Sequence, residues 1–307
     1  MQQEARGHRQ QTAATSLNVG QLYEVTGRRL WLHQSGTGKP AVVILAGASA
    51  VGLDYLNIHD RVSQFTTSVL YDRGGTGWSG SATLPRTATE VASELRDLLS
   101  TAGVPGPYLL AAHSLGGAYA RRFAQMFPSE VASVLYVDSF YEDTDAYMPD
   151  HLHLAKVRQP NPGRLQLRLM QPFMRRMYQQ MFAGWPEPLG EKLINRHLSR
   201  EWWETGVRER SNMPELADEL QHGGDVPDVP LIALVALGID PGMRLLMSSS
   251  SLREMTEAKR RMYAALARSV SHGECRVVEG ARHSTITIDC ADAVVQAIRD
   301  LAVMAPN

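Results

Sequence analysis

The sequence predicts an α/β protein, with one mainly parallel, doubly wound sheet and a helical cap inserted into it. Three observations carry that prediction. Short apolar or β-branched runs alternate with amphipathic stretches as far as Asp138. The alternation stops over residues 140–228 and resumes at Pro230. Within residues 108–117, Tyr-Leu-Leu-Ala-Ala-His-Ser-Leu-Gly-Gly, an apolar strand runs directly into a serine and then a helix.

Residues 22–25 and 29–33 alternate about Thr26-Gly27-Arg28, which reads as an antiparallel hairpin. Residues 41–45 form a continuous apolar run suited to a strand covered on both faces. A second such run, 68–71, ends in Asp72-Arg73-Gly74-Gly75-Thr76-Gly77. Thr87 and Glu90 make a capping box before Val91, Leu95, Leu98 and Leu99, and that helix ends near Gly103. The strand at 108 leads into a helix over 118–127, then a strand over 131–137 that ends at Asp138. Residues 140–228 are helical in period and rich in Pro, Met, Arg and Trp. A strand follows at 230–236. Ser251 with Glu254 reads as a further capping box, opening a helix with Leu252, Met255, Met262, Leu266 and Val270 on one face. Residues 275–278 and 291–303 supply the last strand and helix. The expected organisation is a flexible N-terminal arm (1–18), a core over 19–139 and 229–307, and the cap over 140–228.

Composition excludes several classes of function. The chain has 307 residues, 44% hydrophobic and 21% charged, with a net charge of -1. That balance favours neither nucleic acid nor an acidic membrane surface as a partner. No apolar run is long enough to span a bilayer, and the polar first residues lack the core of a signal peptide, so a cytoplasmic protein is expected, or an exported one if a signal segment has been removed. Cys275 and Cys290 have no metal-ligand spacing and read as buried thiols. No metal is expected.

The serine corner carries the chemistry. Small residues flank Ser114 at two positions on either side, Ala112 and Gly116, where a strand turning straight into a helix crowds its own backbone. Such a corner holds a nucleophile at the carboxyl edge of the sheet, the edge where ligands bind in this architecture. A serine hydroxyl needs a base, and the base an orienting acid. Of ten histidines, His283 has the best context, in the loop Glu279-Gly280-Ala281-Arg282-His283-Ser284 after the last strand. His113, beside the serine, points away from it and packs or orients the turn. Two carboxylates compete for the acid, Asp240 and Asp138, each at the end of a strand; Asp240 is favoured. Backbone N–H groups of Leu115 and Ala48 are the candidate donors to a developing oxyanion, Ala48 lying in a small-residue loop after the 41–45 strand.

The order Ser114, Asp, His283, with a glycine loop after an early strand, resembles the α/β-hydrolase fold family. Residues 71–79, Tyr-Asp-Arg-Gly-Gly-Thr-Gly-Trp-Ser, look like that family's Asp-x-Arg-Gly-x-Gly-x-Ser turn. The resemblance covers roughly residues 20–138 and 229–304. It implies an eight-stranded sheet, a serine triad and no cofactor. Two departures stand out: Ala46-Gly47 replaces a common His-Gly, and the stretch from Asp240 to His283 is longer than usual, which keeps Asp138 in contention. Asp72 and Arg73 are expected to pair and brace loops.

In the cap, Met170, Met174, Met177 and Met181 fall at helical spacing. Met174, Met177 and Met181 are the candidate contacts for an apolar part of the substrate. Arg164, Arg168, Arg175 and Arg176 read as a solvated face. The function expected is hydrolysis of a carboxylic ester or related small acyl substrate through an acyl-enzyme on Ser114. Thioesterase, lactonase, amidase, carbon–carbon hydrolase and acyltransferase activities share that machinery. Dehalogenases and epoxide hydrolases of the resembled fold use an aspartate nucleophile, which Ser114 does not match. A non-catalytic binding protein on the same fold is the reading from another class.

Overall fold

The structure is a computed structural model that describes residues 19–157 and 163–305. The expected arm, residues 1–18, therefore lies outside the described residues. The strands are β1 Gln21–Val25, β2 Arg28–Ser35, β3 Ala41–Leu45, β4 Ser68–Tyr71, β5 Tyr108–His113, β6 Val131–Val137, β7 Leu231–Gly238 and β8 Gly273–Arg282. They form a single sheet in the order β1-β2-β4-β3-β5-β6-β7-β8. β2 runs antiparallel to β1 and β4, and every other pairing is parallel.

The helices of seven residues or more are α1 Leu56–Val62, α2 Ala88–Thr101, α3 Gly116–Met126, α4 Arg164–Met181, α5 Leu189–His197, α6 Arg200–Glu209, α7 Met213–Gln221, α8 Ser249–Ala267 and α9 Ala291–Met304. Side chains alternate across the central strands, so each face of the sheet has its own core. Val43, Leu45, Leu110 and Ala112 pack with Leu95 of α2, Tyr119 of α3 and Met262 of α8. Val42, Ile44, Leu109 and Ala111 pack on the other face with Ile58 of α1 and Ile298 of α9. All eight of those strand residues are buried, which is why β3 and β5 read as unbroken apolar runs.

Among the described residues no strand lies between β6 and β7. That segment is not uniform. Leu216, Ala217 and Leu220 of α7 join the core cluster of α2 and α3, whereas Met174, Tyr178, Leu193 and Ile194 extend the opposite cluster outward. No helix among the described residues is long and apolar enough to cross a membrane.

Two local expectations are corrected. Thr87 and Glu90 do close a capping box on α2, but α8 begins at Ser249 and its cap is Ser248, whose side chain accepts from the Ser251 N–H at 3.1 Å. A run of four serines offers several caps, and the one used has extended backbone, as the N-cap geometry requires. The last strand is also longer than the sequence implied. β8 pairs with β7 as far as Gly238 opposite Arg282, across an irregularity between Ala236 and Gly238. His283 therefore leaves the strand directly.

One core feature has a measurable consequence. His59 of α1 is fully buried, its ring tilted 40° against that of His33 with centroids 4.6 Å apart, and neither ring nitrogen has a hydrogen-bond partner among the described residues. Burial, reinforced by His33, pushes its pKa down to about 3. The folded state thus refuses a proton that the unfolded state accepts from about pH 6.5 downward, so stability falls on acidification by about 1.4 kcal/mol per pH unit for this group. His59→Phe is expected to flatten the pH dependence of the urea midpoint between about pH 6 and 4 by roughly that slope. An unchanged slope would show that the ring finds a proton partner in solution.

Candidate active site

The corner between β5 and α3 is strained in the way an exposed nucleophile requires. Ser114 has φ +51, a left-handed value that costs a non-glycine residue on the order of 1 kcal/mol. The strain is held by Gly117 and Phe140 N–H groups, which donate to the Ser114 carbonyl at 3.0 and 2.8 Å. Gly116 is required sterically, since a Cβ there would sit 2.3 Å from the Leu45 carbonyl oxygen.

Ser114 Oγ lies 3.0 Å from His283 Nε2, and His283 Nδ1 lies 2.7 Å from Asp138 Oδ2. A carboxylate only accepts, so Nδ1 carries the proton and Nε2 is the free base facing the hydroxyl. The carboxylate in contact with His283 is Asp138, the second of the two candidates, and not Asp240. Asp240 instead accepts from the Ser284 hydroxyl at the surface. The sheet order gives the reason. β6, which ends at Asp138, is the direct neighbour of β5, whereas β7, which precedes Asp240, is one strand further off.

Asp138 is 3% exposed, so its charge must be met locally. The Ala236 N–H donates to Oδ1 at 3.1 Å and the Lys259 ammonium to Oδ2 at 2.8 Å. Burial alone would raise the carboxyl's pKa, but Lys259 and the His283 contacts outweigh it and hold it well below the usual carboxylate range. Lys259 Nζ also donates to the Ala236 carbonyl at 2.7 Å, which ties α8 to β7 beside the acid. Sequence reasoning missed Lys259. Its signal was available: the α8 stripe 252, 255, 262, 266 has a gap of seven, and Lys259 fills it.

His113 sits behind this chain. The Gly47 N–H donates to the Tyr55 hydroxyl at 3.0 Å, the hydroxyl contacts His113 Nδ1 at 2.8 Å, and His113 Nε2 contacts the His283 carbonyl at 3.1 Å. With the hydroxyl already accepting from Gly47, it donates to Nδ1, and Nε2–H donates to the carbonyl. Burial first, then the neighbouring His283, pushes His113 down to about 3, so it stays neutral. The loop after β3, the serine corner and the His283 loop are thereby joined by one relay.

The loop after β3 approaches the serine closely. A Cβ on Gly47 would lie 3.1 Å from Ser114 Cβ. The N–H groups of Ala48 and Leu115 donate to no acceptor among the described residues, unlike Gly47 beside them. Arg73 fixes the loop from below, donating to the Ala46 and Gly47 carbonyls at 2.7 and 2.9 Å. The expected pairing of Asp72 with Arg73 is corrected. Arg73 is paired with Glu209 of α6 at 2.8 Å, while Asp72 accepts from the Gly52 and Trp78 N–H groups, both at 2.7 Å. Glu209 also accepts from the Ser49 N–H at 2.6 Å.

The methionines divide. Met174 is buried with Tyr178 and Phe182, Met181 is half-buried, and Met177 is exposed. They share one side of α4, but only Met174 is buried there. Arg175 is partly buried and paired with Glu191, whereas Arg168 and Arg176 are exposed. Both cysteines are half-buried rather than buried. Among the described residues no group of His, Cys, Asp and Glu is arranged to hold a metal ion.

Residues 42–297 match the family model described as "Alpha/beta hydrolase family". The chain belongs to that family. Curated relatives within reach of sequence are distant: an uncharacterised protein of Bacillus subtilis is 27% identical over 128 residues, 41% of this chain and 39% of its own length. A 2-hydroxy-6-oxononadienedioate/2-hydroxy-6-oxononatrienedioate hydrolase of Burkholderia vietnamiensis is 30% identical over 128 residues, 40% of this chain and 44% of its own. The chain spans between about a fifth and a half of the length of the curated relatives it matches. Among solved structures, an epoxide hydrolase from Vigna radiata superposes with TM-score 0.67 at 16% identity, covering 92% of this chain and 96% of that one. A thermophilic esterase from Thermogutta terrifontis gives 0.59 at 19%, covering 92% and 97%. At these identities the hydrolase family members share the fold, and the chemistry must be argued from the site.

Proposed function

We propose that this alpha/beta hydrolase cleaves a carboxylic ester or related acyl substrate through an acyl-enzyme on Ser114. Ser114 Oγ attacks the acyl carbon while its proton passes to His283 Nε2. The negative charge that builds on the carbonyl oxygen is met by the Ala48 and Leu115 N–H groups. His283 returns the proton to the departing alcohol as the tetrahedral species collapses. Water then attacks the acyl-enzyme, giving a proton to His283, which restores it to Ser114 as the acid leaves. Asp138 keeps the imidazole in the tautomer this cycle needs and stabilises it when charged. The helices of residues 140–228 serve as the cap over the substrate.

The observation that carries this reading is the continuous Ser114–His283–Asp138 hydrogen-bonded chain, at 3.0 and 2.7 Å, beside two unengaged N–H groups. Epoxide hydrolases of this fold attack with a carboxylate, and here the corner residue is a serine, so the fold likeness to them does not extend to mechanism. Cleavage of a carbon–carbon bond, a reading prompted by the Burkholderia relative, would use the same serine and base.

A fluorophosphonate probe tests the proposal. Stoichiometric labelling of the wild type, abolished in Ser114→Ala, is the expected outcome; no labelling of folded protein favours a binding role. A panel of esters of graded acyl length, run beside a vinylogous diketone, then separates ester from carbon–carbon hydrolysis.

A further inference from the structure

Helix α4 has two apolar faces, and the fold consumes only one of them. Met174 and Tyr178 are buried against Phe182, Trp185 and Leu193. On another side, Leu165, Leu169, Phe173 and Met177 recur every four residues and are 72%, 73%, 73% and 42% exposed. At about 100° per residue these four span an arc of about 120°. The concentration is not chance scatter. Of nine exposed large apolar side chains among the described residues, five (those four and Met170) lie on this one helix. Isolated exposed apolar residues are ordinary, but a contiguous patch marks a partner.

The charge on the helix says which partner. Its 18 residues include four arginines and no carboxylate, in a protein whose overall charge is -1. Arg168 and Arg175, seven residues apart, share a flank of the apolar arc. Arg175 is tethered to Glu191 of α5, while Arg168 and Arg176 are exposed. An exposed arc of Leu and Phe with Arg168 on its flank and Arg176 within it has the composition of a helix that lies in a lipid headgroup layer. A second copy of the chain is a poorer fit, because a two-fold contact through this face would bring like charges together. The chain's own undescribed residues are a poor cover as well. Residues 1–18 contain two large apolar side chains, Met1 and Leu17, residues 158–162 read Arg-Gln-Pro-Asn-Pro, and residues 306–307 are Pro-Asn.

The geometry points to α4 as a docking helix that seats the protein on an anionic lipid bilayer, with Leu165, Leu169 and Phe173 entering the headgroup–acyl boundary and Arg168 and Arg176 meeting lipid phosphates. Binding through α4 does not depend on Ser114 or on the reaction it performs, so it is read without any activity assay. It departs from the expectation, drawn from net charge alone, that nothing favours an acidic membrane surface as a partner. A global charge near zero conceals a local basic, apolar strip.

Flotation of the full chain with vesicles tests this. Vesicles of phosphatidylcholine mixed with an equal amount of phosphatidylglycerol are expected to carry the wild type, and phosphatidylcholine vesicles to carry far less. The paired change Leu169→Gln with Phe173→Gln should weaken partitioning to the mixed vesicles roughly tenfold or more, since binding scales with apolar area inserted. Arg168→Gln should weaken it on the mixed vesicles alone, and added salt should do the same. Leu246→Gln, at an exposed apolar residue elsewhere, should change nothing. All four side chains are exposed, so melting temperatures should stay put and confirm folding. The proposal fails if the wild type does not float with the mixed vesicles, floats equally with both kinds, or loses binding equally with Leu246→Gln. It fails too if light scattering finds a dimer that the paired change dissolves, which would assign the strip to a second copy.

Discussion

Asp138→Asn is expected to lower kcat on an ester by roughly 10⁴-fold, while Asp240→Asn changes it no more than a few-fold. The asymmetry follows from what each carboxylate touches. Asp138 accepts the His283 Nδ1–H at 2.7 Å. An asparagine there can present its amide N–H to Nδ1, favouring the tautomer that puts the proton on Nε2, where Ser114 needs a base. It would also leave the imidazolium formed in the reaction without a counter-charge. Asp240 touches only the Ser284 hydroxyl, at the surface. Because Asp138→Asn also deprives Lys259 of its carboxylate, thermal unfolding must be followed alongside. A folded variant that has lost activity, with KM nearly unchanged, locates the effect in the chemical step. If Asp240→Asn is the crippled variant and Asp138→Asn is close to wild type, the acid is reassigned and the hydrogen-bond chain described above is not the working one.

Much of this arrangement was legible before any coordinates. β3, β4 and β6 were readable to the residue because strands buried on both faces are written as unbroken apolar runs with sharp polar ends. The corner at Ser114 was readable because Gly116 and Ala112 leave a local steric signature. Which carboxylate meets His283 was less legible, for a physical reason. Its selection depends on which strands are neighbours, and order within a sheet is a tertiary fact that strand patterns do not encode. Lys259 lay in plain view as a cation interrupting an apolar stripe, a charge that must find a buried partner. Glu209 had no such mark of its own. Only Gly206, one turn earlier, hinted at close approach, since a Cβ there would come within 2.9 Å of Ser49 Oγ. The methionine spacing placed all four on one side of α4 but carried no sign of which of them the fold buries.

Glu209→Ala is expected to destabilise the protein by about 3–5 kcal/mol and to cut kcat beyond what that loss explains. Arg73 and Glu209 are 2% and 3% exposed, so truncating the acid strands a guanidinium in the interior. The same carboxylate holds the Ser49 N–H, and the same guanidinium holds the Ala46 and Gly47 carbonyls. The pair therefore clamps, from both sides, the loop whose Ala48 N–H is proposed to meet the oxyanion. Stability and positioning can be separated. Replacing a buried ion pair by apolar side chains of similar volume is often neutral or stabilising, so Arg73→Met combined with Glu209→Leu should recover most of the melting temperature. It should not recover kcat, because neither new side chain can bond a carbonyl or an N–H of the loop. Loss of one well-placed oxyanion donor is worth roughly 10²–10³ in kcat, and a loop left free to drift should forfeit a comparable factor with KM little altered. Glu209→Gln should fall between, since its amide oxygen can still accept from Ser49 and Arg73 without the charge. A double variant that regains both stability and full kcat would reduce the pair to a structural tie and leave the loop positioned by the Tyr55 hydroxyl and the backbone alone.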